Sequence, residues 1–230
     1  MEQLHNGYTL ELCDGAFPLS TDSVALSHFA KLPRNASVLD LGSGCGTLGL
    51  LLCSCWSDCT VTGVDLDPAA HLAALANAQR NEIGHRLNSI CDDVANIPNI
   101  IKPGTFSCCI SNPPYFSGGP ASQKTPAARS EATLDLDTLF RSAAWALKYR
   151  GDFFLVHKPE RLAELIACGA RENLEAKRLR LVRHKESGNI SLILLQFRKG
   201  GKPGLIIEEG FLHQNDGTPS AYYKEIYHLP

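Results

Sequence analysis

The nine residues Val38-Leu39-Asp40-Leu41-Gly42-Ser43-Gly44-Cys45-Gly46 constrain this chain more than any other stretch. An apolar, strand-like run enters a turn with three glycines, and a helix from Gly46 to about Trp56 leaves it. Without Cβ atoms such a turn can fold closely under a ligand, and the N–H groups at the start of the following helix point at that ligand. A strand, a tight turn and a helix in this order form the building block of a parallel sheet covered by helices.

The rest of the chain repeats the alternation. Ser37 to Leu41 reads as the first strand and Thr60 to Asp65 as the second. Asp67-Pro68 supplies a helix cap with proline at the first helical position, opening an alanine-rich helix that stops at Gly84. A short third strand ends near Cys91, and Phe106 to Ser111 is the fourth. Thr133 to Lys148 has the broad apolar face of a helix, Gly151 to His157 reads as a fifth strand, and Pro159 to Gly169 as a helix. Ala176 to His184 and Asn189 to Arg198 flank Glu186-Ser187-Gly188, a hairpin signal, so an α/β fold closing in an antiparallel pair is expected. The tail from Gly200 is expected to be extended or partly mobile.

A chain of 230 residues suits one domain, and no linker divides it. The expected plan is a single domain over 1–230: a covering segment at 1–35, a core at 36–200 and a tail at 201–230. The opening Met1-Glu2-Gln3-Leu4-His5 lacks a signal-peptide pattern, and no apolar run reaches the ~18 residues that span a bilayer, so a cytoplasmic protein is expected. Cys53, Cys55 and Cys59 lack C-x-x-C spacing, so no metal site is expected, and the nine cysteines read as small buried thiols.

Acids stand at successive strand ends. Asp40 precedes the glycine turn, Asp65 ends the second strand, and Asp92-Asp93 follows the third. A carboxylate at the second of these places can accept both hydroxyls of a ribose. One of the next pair can take an adenine amine, Asp93 or its neighbour Asp92. The turn is spaced G-x-G-x-G (Gly42, Gly44, Gly46), unlike the G-x-G-x-x-G of dinucleotide folds. Each acid alone can also be a helix cap or a surface charge, but their order at successive strand ends favours a ligand site.

Ser111-Asn112-Pro113-Pro114-Tyr115-Phe116 follows the fourth strand, at the carboxyl edge where ligands bind in such sheets. An amine on a planar group is a poor nucleophile because its lone pair is delocalised. The Asn112 side-chain oxygen and the Pro113 carbonyl can accept its two hydrogens and turn the lone pair toward an electrophile. Pro113 and Pro114 remove competing donors and stiffen the turn, Tyr115 can stack on the planar substrate, and Phe116 adds an apolar wall. Alignment supplies most of the rate, and no strong base is needed. His157 and His184, at strand ends, read as structural.

These motifs resemble the Rossmann-like, S-adenosylmethionine-dependent methyltransferases that carry N-P-P-Y. The resemblance implies a seven-stranded, mostly parallel sheet with a C-terminal antiparallel hairpin. It implies that Asp40 and the Gly42–Gly46 turn lie under the methionine part of S-adenosylmethionine, with Asp65 on the ribose and Asp93 on the adenine. Asn112 touches both cofactor and substrate, and Asn112, Pro113, Pro114 and Tyr115 form the catalytic quartet. Members often carry an acid where this chain has Ser107, which removes a possible orienting group.

The quartet is shared by enzymes acting on adenine in nucleic acids, guanine in ribosomal RNA and glutamine in release factors. The extra domains of the DNA, glutamine and guanine enzymes have no counterpart here. The whole chain is similar to the small tRNA adenine methyltransferases, which act on the adenine 3′ of the anticodon in a valine tRNA. Phe17 to Ser23, Arg129-Ser130-Glu131 and Lys202-Pro203-Gly204 carry that finer likeness. A tRNA anticodon loop is thus the implied partner, and neither DNA nor membrane is expected. Net charge is only −2, yet nine basic and three acidic residues lie between Arg171 and Lys202. That stretch reads either as a phosphate-binding face, joined by Lys124 and Arg129, or as solvated positions on a strand pair.

Overall fold

The computed structural model describes residues 1–4, 7–114 and 134–230. Tyr115, Phe116, the loop carrying Lys124 and Arg129, and Arg129-Ser130-Glu131 lie outside the described residues. A two-stranded ribbon of β1 (Glu2–Gln3) and β2 (Thr9–Leu10) leads into helix α1 (Thr21–Phe29). The core then runs β3 (Ser37–Leu41), α2 (Thr47–Cys55), β4 (Thr60–Asp65), α3 (Pro68–Arg80), β5 (Leu87–Cys91), the short α4 (Ile97–Ile100) and β6 (Phe106–Ser111). After the undescribed stretch come α5 (Leu136–Ala146), β7 (Leu147–His157), α6 (Leu162–Arg171), β8 (Leu174–Lys185) and β9 (Ile190–Lys199). The chain ends with β10 (Ile206–His213) and α7 (Ala221–Ile226).

The strands form one sheet in the order β10-β8-β9-β7-β6-β3-β4-β5. β7, β6, β3, β4 and β5 pair in parallel, and β9 runs antiparallel between β7 and β8. The expected α/β class and C-terminal hairpin are therefore present. The sheet has eight strands, not seven. The eighth is β10, drawn from the tail and paired parallel to β8. Its two isoleucines contribute little to this pairing, since Ile206 and Ile207 are each 61% exposed, whereas Leu212 near its end is buried in the core. Between them Glu208 lies opposite Arg180 and accepts hydrogen bonds from both Arg178 and Arg180. The tail is thus a strand and a packed helix.

Side chains alternate across the sheet and fill two cores. Val38, Ile110, Phe154, Val156 and Leu194 face the side covered by α1 and α2. Leu39, Leu41, Cys109, Phe153, Leu155 and Phe197 face α5 and α6, where Phe140 meets Phe153 and Phe197 edge-on at 5.3 and 5.1 Å. Two boundaries differ from expectation. The helix before β7 stops at Ala146, because Leu147 pairs with Phe106 and begins the strand four residues before Gly151. Helix α1 was not foreseen; Ser20 caps it by accepting from Ser23 N. The cysteines are free thiols, and Cys55 and Cys91 are exposed rather than buried. Among the described residues no helix is long and apolar enough to cross a membrane.

Candidate active site

The parallel strands β6, β3, β4 and β5 end side by side, and each delivers one of the residues singled out above. Asp40 lies in the middle of the sheet, opposite Gly63 of β4 and Ile110 of β6. It is 1% exposed, and its Oδ1 is buried without a hydrogen-bond partner. Burial, reinforced by the Asp65 charge, pushes its carboxyl up to about 8. A buried carboxyl with an unused oxygen is costly unless something polar or cationic meets it.

Gly42, Gly44 and Gly46 all have positive φ, at +73°, +53° and +82°, so the turn needs glycine at each. It is stitched down by Gly42 N and Ser43 N donating to Val64 O at 2.9 and 3.1 Å. Gly63 gives it room, because a Cβ there would stand 2.4 Å from Ser43 Oγ. Asp65 braces the turn from β4. Its Oδ2 accepts from Gly44 N at 2.7 Å and its Oδ1 from Asp67 N at 2.9 Å. Each carboxylate oxygen keeps a second lone-pair direction for a ligand. Asp92 N donates to Asp65 O at 3.0 Å, joining the two loops. Asp92 Oδ1 accepts from Asp93 N and Asn96 Nδ2, whereas Asp93 Oδ1 caps the next turn through Ala95 N.

Asn112 and the buried Pro113 leave β6 at the same edge. Ser111 Oγ donates to Leu41 O at 2.7 Å, which fixes the end of β6 to the end of β3. Asn112 Nδ2 donates to Ser23 Oγ of α1 at 3.0 Å. Tyr115 falls outside the described residues. Ser107 lies at the other end of β6, where its Oγ donates to Ser37 O and accepts from Ser37 N. It staples two strand starts and is remote from any orienting role. His157 is buried, and burial holds its imidazole below the ordinary histidine range. His184 packs against His213 with ring centroids 5.1 Å apart.

Two features escaped the sequence reading. Asn77 of α3 and Asn81, the residue that caps its C-terminal end, clasp the extended N-terminal segment as a neighbouring strand would. Thr9 and Glu11 each donate to, and accept from, one of these amides at 2.8 or 2.9 Å. Asn77 Nδ2 also donates to Cys45 O, so the segment is tied to the glycine turn itself. The second feature is Ser23. It lies in the Phe17 to Ser23 segment that carries the finer likeness, but its contact with Asn112 had no signal in the sequence.

Much of the charge of the basic stretch is paired within the chain, in part on its surface. Arg171 pairs with Asp137, Arg183 with Glu209 and Arg198 with Asp152, while Arg178 and Arg180 share Glu208. Lys177 donates to Lys202 O and Gly204 O, and Lys199 to Ala144 O and Leu147 O. These contacts hold β10 and the helix ends in place, so among the described residues much of the charge of this stretch is already paired.

The methyltransferase small domain family model matches residues 20–166. A tRNA1(Val) (adenine(37)-N6)-methyltransferase of Porphyromonas gingivalis is 32% identical over 76% of this chain and 73% of its own. One from Photobacterium profundum is 26% identical over 89% and 87%. Among solved structures, a predicted O-methyltransferase of Agrobacterium tumefaciens covers 90% of this chain and 96% of its own at TM-score 0.76 and 16% identity. A geranyl diphosphate C-methyltransferase of Streptomyces coelicolor, solved with S-adenosyl-L-homocysteine, gives TM-score 0.58 at 13% identity, covering 77% of this chain and 76% of its own. At such identities the solved structures share the fold alone; the family match carries more. The chain belongs to the methyltransferase small domain family, and it is an S-adenosylmethionine-dependent methyltransferase.

Proposed function

We propose that this enzyme methylates the exocyclic N6 amine of an adenine in a tRNA anticodon loop. The observation that carries the reading is the position of Asn112-Pro113-Pro114. They leave β6 beside the cofactor turn, with the amide nitrogen of Asn112 turned toward Ser23. The names of the relatives, tRNA1(Val) (adenine(37)-N6)-methyltransferases, support the substrate class.

The residues present fit the cofactor. The unpartnered, buried oxygen of Asp40 suits the ammonium of the methionine end. Among the described residues, nothing lies within 4 Å of where a Gly44 Cβ would be, which leaves room for a ligand over the turn. Asp65 is the seat for the ribose hydroxyls, and Asp93 or Asp92 for the adenine amine. S-adenosylmethionine, when bound, supplies a methyl group on a sulfonium. Asn112 Oδ1 and the Pro113 carbonyl accept the two hydrogens of the target amine, so its lone pair is drawn out of conjugation and aimed. Tyr115 stacks on the base. A loop adenine is unpaired or easily extruded, so placing it there costs little.

Methyl transfer from labelled cofactor to total tRNA, total ribosomal RNA and a protein extract, followed by nucleoside analysis, tests this. N6-methyladenosine in the tRNA fraction is expected. Label confined to protein would overturn the reading, and label confined to ribosomal RNA would move the substrate.

A further inference from the structure

We infer that Cys13 and Cys45 are an oxidisable dithiol, closed by a peroxide, that locks the N-terminal segment onto the glycine turn and weakens cofactor binding. The effect on the cofactor rests on the reading that this turn carries S-adenosylmethionine; the sulfur–sulfur bond does not.

The two sulfurs lie 3.4 Å apart, and Cys13 N donates to Cys45 Sγ at 3.4 Å. Both thiols are free, and the contact joins residues 32 positions apart. Their backbones are clamped by one side chain. The buried Asn77 donates through Nδ2 to Glu11 O at 2.8 Å and to Cys45 O at 3.0 Å, and its Oδ1 accepts from Glu11 N at 2.9 Å. Glu11 is two residues before Cys13, so a single amide fixes both the segment and the turn and keeps the sulfurs facing each other. Holding two reacting groups together in this way raises the effective concentration of each for the other.

Access to the pair is one-sided. Cys13 is half-buried, whereas Cys45 is buried, so hydrogen peroxide meets Cys13 first. A bond forms between the Cys13 sulfur and one peroxide oxygen as the O–O bond breaks, and the thiol proton leaves with the other oxygen as water. The Cys45 sulfur then attacks the Cys13 sulfur. The S–S bond forms, the S–O bond breaks, and the Cys45 proton leaves with the hydroxyl as a second water. Two thiols are oxidised to a disulfide, and the peroxide is reduced to two waters. Burial and the facing Cys45 sulfur push the Cys13 thiol up to about 11, so the first step needs peroxide in excess at neutral pH. Cys53 and Cys59 also face each other, but both are buried, which leaves them less accessible than Cys13.

Cys45 stands between Gly44 and Gly46, and Gly44 N is held by Asp65 Oδ2 at 2.7 Å. Drawing the sulfurs from 3.4 Å to the ~2.05 Å of a disulfide pulls Cys45 and the N-terminal segment together. Asn77 and Asn81 restrain the segment, so part of the movement falls on the turn and on the Gly44–Asp65 bond.

The test treats the full chain with hydrogen peroxide, alkylates the remaining thiols and maps the peptides by mass. A peptide pair joined through Cys13 and Cys45, and parted by a thiol reductant, is expected. Calorimetry of the joined protein should show cofactor Kd raised about three- to tenfold, the scale of one hydrogen bond lost, with full recovery on reduction. Cys13→Ser should bind cofactor as the reduced parent does and keep that affinity under peroxide; should it fail to fold, Cys13→Ala carries the same comparison. Cys13 oxidised without joining Cys45, or bonds found only among other cysteines, would overturn the inference. So would joined thiols with an unchanged Kd in a protein whose affinity Asp65→Ala does reduce. Cofactor affinity that survives Asp65→Ala would instead fault the reading of the turn as the cofactor seat, while the peptide map would still decide whether the two thiols join.

Discussion

On the proposed reading, in which Asp40 meets the ammonium of the cofactor, Asp40→Asn separates the cost of the buried carboxyl from its benefit. Asp40 is buried in the centre of the sheet, with Oδ1 unpartnered, and its carboxyl is pushed up to about 8 by burial and by the Asp65 charge. The ligand-free protein therefore holds a proton there at neutral pH. An ammonium set against this carboxyl would favour the ionised form, so cofactor binding is expected to release that proton. Each pH unit below about 8 then weakens binding by roughly tenfold, giving a gain on the order of a hundredfold between about pH 5.5 and 7.5. The stability sign runs the other way. The folded state binds this proton more tightly than the unfolded chain, so stability is greatest below the unfolded value of 3.8 and falls as pH rises toward about 8. Removing the charge makes the ligand-free D40N variant more stable at neutral pH, on the order of 2–4 kcal/mol, and this advantage fades in acid. Calorimetric titration of cofactor across this range, in two buffers of different ionisation enthalpy, gives affinity and proton count together. A pH-independent affinity in the parent, or the same slope in D40N, would refute the reasoning.

Two further changes probe how the site is built. Gly63→Ala places a Cβ against Ser43 in the cofactor turn, while Gly49→Ala presses on the tip of Leu87 at 2.5 Å in the core. Both are expected to cost about 1–3 kcal/mol in denaturant melts, but only Gly63→Ala also weakens cofactor binding; equal affinities would refute the placement of Ser43. Burial pushes the Glu208 carboxyl up, yet the bonds from Arg178 and Arg180 outweigh it and hold it below the usual range. Glu208→Gln should therefore cost about 1–2 kcal/mol near neutrality, with the difference from the parent closing as acid protonates Glu208; a constant gap down to low pH would show that the ion pairs are not its source.

What could be read in the sequence was local. The glycine turn, the capped helix after Asp67 and the apolar runs of the central strands each declare themselves over a few residues, and the structure sets them on adjoining strand ends. What could not be read depends on partners far along the chain. β10 begins with exposed isoleucines and a glutamate held by arginines of β8, and only Leu212 near its end is buried in the core, so its sequence lacks the usual apolar alternation. Leu147 continues a helical apolar spacing but joins a strand because Phe106 lies beside it. The arginines between 171 and 202 look like a free basic patch until Asp137, Asp152, Glu208 and Glu209 are found against them. Ser23 accepts a hydrogen bond from Asn112, 89 positions away, a contact that no spacing rule reports.

The most direct measurement compares the parent with Asn112→Ala on purified tRNA, scoring N6-methyladenosine by nucleoside analysis and cofactor affinity by calorimetry. The parent should form N6-methyladenosine in tRNA, and the variant should form essentially none while binding cofactor nearly as well. A variant that still methylates tRNA, or one that fails only because it no longer binds cofactor, would contradict the role given to Asn112.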